Sequence, residues 1–286
     1  RPPERAGLRI VFQCREIAGA QRRQFRHRIV RKRRGEFLGE VADRGTVIHA
    51  ALGEFTQNFA GGIPADPAGE LIKLGRKHFA ALDAYPEARA FWWPRFERIA
   101  RWFADWEMER RQQIAGLHAE IRGEIKIPVG KRVFRLSARA DRIERLPDGR
   151  YAVLDYKTGA ARTEKQVRTG LAPQLTLEAA ILRGGGFAGV PNGASVAELV
   201  YVTLRGVNPP GEACRIDFKD GDAPDVHADR ALARLTEIAI RFEHEDTPYR
   251  SLVHPMWKVH YGDYDHLARV KEWSATGGLS DEGGGE

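Results

Sequence analysis

Two carboxylates and one lysine have the types and the spacing of a site that could hold a divalent cation. They are Asp141, Asp155 and Lys157, and the two segments that carry them alternate apolar and polar residues as strands do. Between these segments, Pro147-Asp148-Gly149 predicts a three-residue hairpin loop, a type I turn closed by a glycine in the left-handed region. The two acidic residues are therefore expected on neighbouring antiparallel strands.

The predicted loop also determines which residues face each other. Pairing of Leu146 with Arg150 sets Asp141 directly opposite Asp155 in the same register. Side chains alternate along a strand, so Lys157 shares the face of Asp155. Two opposed carboxylates with Cβ atoms about 5 Å apart repel each other unless something compensates for their charge.

A divalent cation would provide that compensation. Mg²⁺ needs only one or two protein carboxylates when phosphate oxygens and water complete its coordination shell. The lysine would then orient a water molecule or stabilise charge on a phosphate. The alternative is a surface hairpin in which Lys157 and nearby arginines merely neutralise the two aspartates, and the register alone does not decide between these interpretations.

Two more residues have side chains suited to such a site. His49 lies one residue beyond Ile48 of an apolar helical stripe, so its side chain is either a ligand or an ordinary packing residue. Gln174 follows Pro173 at the start of another predicted helix. Its amide could hydrogen-bond a phosphate or a base, or it could simply cap the helix.

Hydrophobic periodicity predicts the elements that would position these residues. It indicates an amphipathic helix over residues 48–59, a helical run near 70–83 and a third helix with four of the six tryptophans, at 92, 93, 102 and 106. The regular spacing of that third helix favours core packing over base stacking, and Pro94 is expected near its start. Strands are predicted at 121–129, 132–138, 139–146, 151–157 and 199–202, and further helices at 172–183 and 225–245.

Composition limits the class of protein. The chain has 286 residues, 42% of them hydrophobic, and no uninterrupted apolar stretch approaches the roughly 20 residues of a membrane span. Its two cysteines, Cys14 and Cys214, are too few for a disulfide framework or a four-cysteine cluster. We therefore expect a soluble protein of a reducing compartment, the cytoplasm.

The basic charge is concentrated at one end of the chain. Residues 1–44 contain 13 Lys and Arg against 5 Asp and Glu, whereas the remainder has 33 against 34, which accounts for the net charge of +7. Such an arm would neutralise phosphates with little regard to sequence. A solvated leader without a task is an equally weighted interpretation.

Four sequence blocks, taken in order, resemble a known family. They are Arg44-Gly45-Thr46-x-x-His49, Ala140-Asp141-Arg142-Ile143-Glu144, Asp155-Tyr156-Lys157-Thr158-Gly159 and Pro173-Gln174-Leu175. This order resembles the RecB-type branch of the PD-(D/E)XK nucleases, and within it the C-terminal nuclease domains of the AddB family. The similarity extends from about residue 44 to 273 and includes residues 91–96 and 261–270.

The resemblance implies a fold and a set of site residues. The fold would be α/β, with a restriction-endonuclease-like core, a central mixed sheet flanked by helices and an additional N-terminal helical region. The metal ligands would be His49, Asp141, Asp155 and the backbone carbonyl of Tyr156. Asp141, Asp155, Lys157 and Gln174 would be the catalytic residues, and Glu124 would be a carboxylate behind the metal ligands.

The resemblance also implies an activity and partners. The chain would be a Mg²⁺- or Mn²⁺-dependent deoxyribonuclease, an exonuclease on single strands that acts in double-strand break repair and recombination. Its partners would be DNA, either single-stranded or as duplex ends, and an AddA-like helicase–nuclease subunit. The alternative is a catalytically silent nuclease-fold domain that binds DNA or scaffolds a helicase.

Three features depart from the family pattern. Glu178 stands where a tyrosine often follows the glutamine by four residues, and two cysteines cannot hold the iron–sulfur cluster of some AddB proteins, so no cluster is expected. Residues 1–43 lack the helix expected before the histidine block. We therefore predict a basic arm over 1–43 that is disordered or atypical, a nuclease domain over 44–273 (helical part 44–118, sheet core 119–273) and a flexible tail over 274–286.

Overall fold

The computed structural model describes residues 9–12, 34–80 and 86–248. The predictions for residues 261–270 and 274–286, and for most of residues 1–43, lie outside these ranges. The chain divides into two compact units, Arg1–Ile240 and Arg241–Glu286. The described elements, in chain order, are β1 (Arg9–Phe12), α1 (Arg34–Asn58), α2 (Pro67–Phe79), α3 (Pro86–Arg111), β2 (Gly116–Val129), β3 (Arg132–Arg145), β4 (Tyr151–Lys157), α4 (Glu164–Arg168), α5 (Gln174–Arg183), β5 (Val196–Leu204), β6 (Gly211–Arg215) and α6 (Pro224–Phe242).

The strands form one mixed sheet of six strands in the order β1-β3-β4-β5-β6, and β2 pairs with β3. β2 follows one edge of the long strand β3 over its whole length, while β1 and β4 share the other edge. β1 pairs with residues 135–138 of β3 and β4 with residues 142–145, so residues 139–141 stand between the two ladders. The β3–β4 and β5–β6 pairs are antiparallel, and β4–β5 is parallel.

Helices cover both faces of this sheet, as the predicted fold class requires. On one face Val153 and Leu199 pack with the apolar residues of α5. On the other face Leu154 and Val202 pack with α1, α2 and α3. Successive β4 residues therefore enter opposite cores, which is the alternation expected of a strand buried on both sides.

Several predicted elements are confirmed, and others differ in their bounds. The stripe of the third helix is core, since Phe96, Ile99 and Phe103 are buried, but the helix begins at Pro86 and Pro94 lies inside it. The two strands predicted over 132–146 are the single strand β3. The helix expected after Arg44 begins at Arg34, because the helix-compatible residues 35–43 contain no proline. The predicted boundary between residues 43 and 44 therefore falls inside α1.

Three short elements, β1, α4 and β6, have no counterpart in the sequence predictions. In the part of the chain that the structure describes, no helix combines the length and the apolar character needed to cross a bilayer.

Candidate active site

The β3–β4 hairpin has the register predicted from its loop. Arg142 pairs with Leu154, and the ladder continues to Arg145 and Tyr151. The Leu146 amide donates to the Arg150 carbonyl at 2.8 Å, and Gly149 has a φ of 86°, a left-handed conformation that favours glycine. One step beyond the ladder, the same register sets Asp141 opposite Asp155.

Asp141 lies on the edge of β3, between the segment that pairs with β1 and the segment that pairs with β4. The Tyr156 amide donates to Asp141 Oδ2 at 3.0 Å, so a side chain takes the place of a strand partner. The same oxygen lies 3.5 Å from His49 Nδ1. Asp141 therefore connects the hairpin to helix α1.

Helix α1 brings the histidine block against the end of β4. A Cβ atom at Gly45 would lie 3.3 Å from Thr158 Oγ1, so the glycine permits a close approach of the two blocks. Four residues later, the edge of the His49 ring meets Tyr156, with 6.2 Å between ring centroids. The His49 side chain keeps 13% of its surface exposed, so it is accessible to a ligand as well as packed.

Asp155, Lys157 and Gln174 form a closed triangle on the opposite face of β4. Lys157 Nζ lies 2.6 Å from Asp155 Oδ2 and donates to Gln174 Oε1 at 3.0 Å. Gln174 Nε2 donates to Asp155 Oδ1 at 2.5 Å. Helix α5 begins at Gln174, which places this amide beside the end of β4.

Asp155 is held in an environment that opposes its negative charge. Burial, followed by the charge of Asp141, raises the pKa of Asp155 to about 7, although Lys157 and Gln174 favour the ionised form. A cation bound beside Asp155 would favour its ionised form.

This donor set fits a divalent cation. An imidazole and two carboxylates are the ligands that Mn²⁺ and Mg²⁺ accept, and their charges would be balanced by such an ion. The structure brings His49 to Asp141, and Asp155 to Lys157 and Gln174, but the ligand atoms of His49, Asp141 and Asp155 do not all lie within 4.8 Å of one another. The ring of Tyr156 packs against Phe103 on the other side of the strand, so only its backbone faces Asp141.

The structure places Glu124, the glutamate that the resemblance suggested, away from Asp141. Glu124 pairs in register with Ser137, and its half-exposed side chain lies 3.6 Å from Arg135. Glu120, in contrast, lies between Ala119, which pairs with Arg142, and Ile121, which pairs with Ala140, so it faces Asp141 across the strands. The equal distances of Glu120 and Asp141 from the β2–β3 turn were the signal that could have identified it.

Glu120 has a strained and crowded position. Its φ is 53°, although it is not a glycine, and its side chain is 3% exposed. Its Oε2 lies 2.8 Å from Arg139 Nε, and its Oε1 lies 2.4 Å from where a Cβ atom at Gly53 would be. Gly53 is one helical turn after His49. Strain of this kind commonly marks functional sites.

A second group of metal-type ligands lies elsewhere. Asp220, Asp222 and His227 offer ligand atoms within 4.8 Å of one another. Arg230 Nη1 already lies 2.7 Å from Asp222 and 3.7 Å from Asp220, and His227 stacks on Phe218. This cluster therefore has two carboxylates and one arginine, the same count as Asp141 and Asp155 with Lys157, and it is a second candidate cation site.

Comparisons with known proteins also indicate a nuclease family. A family model described as "PD-(D/E)XK nuclease superfamily" matches residues 19–253. An uncharacterized protein of Rickettsia bellii is 29% identical over 242 residues, which are 80% of this chain and 28% of that protein. An uncharacterized protein of Rickettsia typhi is 29% identical over 52% of this chain and 18% of its own length.

This chain therefore spans less than a third of the length of those relatives. Among solved structures, the crystal structure of SSO0001 aligns with 75% of this chain and 85% of that chain, at 13% identity and a TM-score of 0.29.

Proposed function

The chain belongs to the PD-(D/E)XK nuclease superfamily, and we propose that it is a metal-dependent deoxyribonuclease that hydrolyses phosphodiester bonds. Asp141, Asp155 and His49 would hold Mg²⁺ or Mn²⁺, together with the backbone carbonyl of Tyr156. The observation that carries the proposal is the Asp155 carboxyl group, which is 2% exposed and lies near enough to Asp141 for that charge to raise its pKa, although Lys157 is 2.6 Å away.

Each residue of the site has a distinct task in this proposal. The bound ion would lower the pKa of a water molecule and neutralise charge on the scissile phosphate. Lys157 is held in place by Asp155 and by Gln174, and from this position its ammonium group would orient the nucleophile or stabilise charge on a phosphate oxygen. Gln174 keeps the lysine and the aspartate in register with each other.

The finer assignment rests on the sequence blocks. Their order and spacing support a RecB-like, AddB-like nuclease that works as an exonuclease on single-stranded DNA in double-strand break repair and recombination. An AddA-like helicase–nuclease subunit would deliver the DNA strand to the site. Both subunits would act in the cytoplasm. The whole protein would then contain this domain beside a larger motor-related portion, in keeping with the greater length of the relatives.

The domain division remains part of the proposal. Residues 44–273 would form the nuclease domain and residues 274–286 a flexible tail; of the predicted basic arm over 1–43, β1 and residues 34–43 of α1 belong to the fold, and the other residues would contact phosphates.

Cleavage of end-labelled DNA tests the function directly. Purified protein is incubated with single strands and with duplexes, in Mg²⁺, in Mn²⁺ and in chelator. We expect metal-dependent shortening of single strands, lost in chelator and in Asp155→Ala, and retained in Asp217→Asn, whose parent side chain is 80% exposed. Labels at the 5′ and 3′ ends report the polarity.

Two outcomes would contradict the proposal. Asp155→Ala that cuts as fast as the parent would place the chemistry elsewhere. DNA retention without cleavage in any metal would favour the alternative, a silent nuclease-fold domain that binds DNA or scaffolds a helicase.

A further inference from the structure

Glu178 is a third carboxyl group beside the candidate site. It lies on α5 one turn after Gln174 and is 1% exposed. Its Oε1 accepts a hydrogen bond from Gln174 Nε2 at 3.2 Å. Its Oε2 is buried and has no hydrogen-bond partner among the described residues.

Packing alone does not account for an acid at this position. A buried acid on a helix is unusual unless it has polar partners, and the hydrogen-bond partner of Glu178 is the Gln174 amide. Burial, followed by the charges of Asp155 and Asp141, raises the pKa of Glu178 well above its usual value. A buried oxygen without a partner lowers stability, so its presence calls for a compensating task.

The contacts of the Gln174 amide indicate what that task is. Gln174 Oε1 accepts from Lys157, while Gln174 Nε2 donates to both Asp155 and Glu178. The two N–H groups of the amide therefore have one acceptor each. With the amide flipped, its oxygen would face two carboxyl oxygens, and its N–H groups would face an ammonium group.

We propose that Glu178 is a positioning residue that fixes the Gln174 amide, and through it Lys157, by accepting the second N–H of Gln174. The inference rests on the proposed nuclease function. Asp155, the other acceptor, is also a proposed metal ligand, and a cation there competes for its electron density. The hydrogen bond from Gln174 to Glu178 does not depend on what Asp155 binds.

Kinetics of five variants, one of them Gln174→Leu alone, test this role. We expect Glu178→Leu to lower kcat about 10- to 30-fold and to leave KM within about twofold, because substrate binding is untouched while the lysine loses its fixed direction. Glu178→Gln should stay within about threefold of the parent, since its amide oxygen accepts the same bond. Thr176→Val is the control, because Thr176 is also buried on α5 and its hydroxyl donates to the carbonyl of Pro173, the residue before the helix.

The double variant, Gln174→Leu combined with Glu178→Leu, separates positioning from general packing. If Glu178 acts through Gln174, the double variant is no slower than Gln174→Leu alone. Equal losses of kcat in both backgrounds, or a Glu178→Leu variant as fast as the parent, would overturn the inference. So would a Glu178→Gln variant as slow as Glu178→Leu, because that would require an ionised carboxylate.

Urea unfolding of the same variants in chelator tests the contact without any cleavage. The midpoint shifts of Gln174→Leu and Glu178→Leu should be non-additive in the double variant, and additive shifts would refute the Gln174–Glu178 contact. A parent that does not cut DNA defeats the proposed function, and the unfolding cycle still decides the inference. If Glu178→Leu does not fold, Glu178→Gln tests the inference instead. Its kcat must then match that of the parent within about threefold.

Discussion

Two largely buried charged clusters lie on opposite faces of the sheet, and they differ in charge balance. On the α3 side three arginines meet three glutamates, namely Arg110, Arg111 and Arg142 with Glu107, Glu144 and Glu198. On the α5 side Asp141, Asp155 and Glu178 share Lys157. The first cluster is complete without any further group, and the second is not.

The pKa directions follow this difference. Burial raises the pKa of Glu107, but the charges of Arg142 and Arg111 outweigh it, so the pKa lies below its usual value. The pKa of Asp155 is raised, because one lysine does not offset burial and a facing aspartate. Buried charge by itself therefore does not indicate a functional site, whereas a buried acid whose pKa is raised by burial and by a like charge is a candidate for one.

The largest expected effect is on cleavage and comes from Lys157→Ala. We expect a loss of about 10³-fold or more in kcat, because the group that directs the nucleophile is removed. Stability should change little, because Asp155 can take up a proton when its partner is lost. Cleavage rates and urea midpoints check this, with the exposed Lys165→Ala as control. Cleavage at the parental rate would remove Lys157 from the mechanism.

The complementary change in the balanced cluster is Arg142→Met. Arg142 is fully buried and contacts both Glu107 and Glu144. Its loss leaves two buried carboxylates short of charge, so we expect a destabilisation of about 3–5 kcal/mol in urea unfolding. Arg135→Met, in which a half-exposed pair with Glu124 is lost, should cost no more than about 1 kcal/mol. Equal costs for the two variants would break the comparison.

A smaller effect concerns pH. The pKa of Asp155 is about 7 in the folded chain, and an unfolded aspartate titrates near pH 4, so between these values the folded state binds more protons. Its contribution to the stability of the metal-free protein is therefore present at low pH and is lost as the pH rises to about 7. Urea unfolding in chelator from pH 5 to 8 should show this decline in the parent.

Asp155→Asn should remove that part of the decline. Glu178 also makes the free energy of unfolding fall as the pH rises, because its pKa is raised too. This part of the decline remains in the variant. The difference between parent and variant is thus the informative quantity. A difference that does not change between pH 5 and 7 would show that Asp155 titrates normally.

The sequence was sufficient where short-range rules act. The Pro147-Asp148-Gly149 loop predicted the β3–β4 register, and the change of period predicted the sheet, since both depend on neighbouring residues. The sequence was insufficient where the interacting residues are distant from each other along the chain. Arg142 belongs to a motif block, yet its contact with Glu107, 35 residues away, has no local signature.

The glutamates of β2 show the same limit. Glu120 and Glu124 both alternate with apolar residues, and only the β2–β3 pairing distinguishes the one opposite Asp141. The hold of Glu178 on the site likewise depends on how α5 docks on the sheet. Local patterns therefore predicted the strands, but not which carboxylates gather at their ends.

The smallest predicted effect comes from Gly53→Ala, beside the balanced pair of Glu120 and Arg139. Alanine in a helix interior is normally stabilising by about 1 kcal/mol relative to glycine. Here the new Cβ would lie 2.4 Å from Glu120 Oε1, so the carboxylate must move away from the turn that follows His49. We expect cleavage and Mn²⁺ affinity to fall about tenfold, a magnitude typical of groups that support metal ligands, while the melting temperature stays level or rises.

Gly61→Ala is the matched control for this change, because the space around Gly61 is open and no contact is disturbed. A loss of cleavage without a loss of stability would place Glu120 with the unbalanced cluster, since a purely structural ion pair would show the reverse. Equal cleavage rates in Gly53→Ala and Gly61→Ala would instead assign Glu120 and Arg139 to the fold. The strained backbone at Glu120 would then have a structural cause, namely the need to bring its carboxylate within 2.8 Å of Arg139.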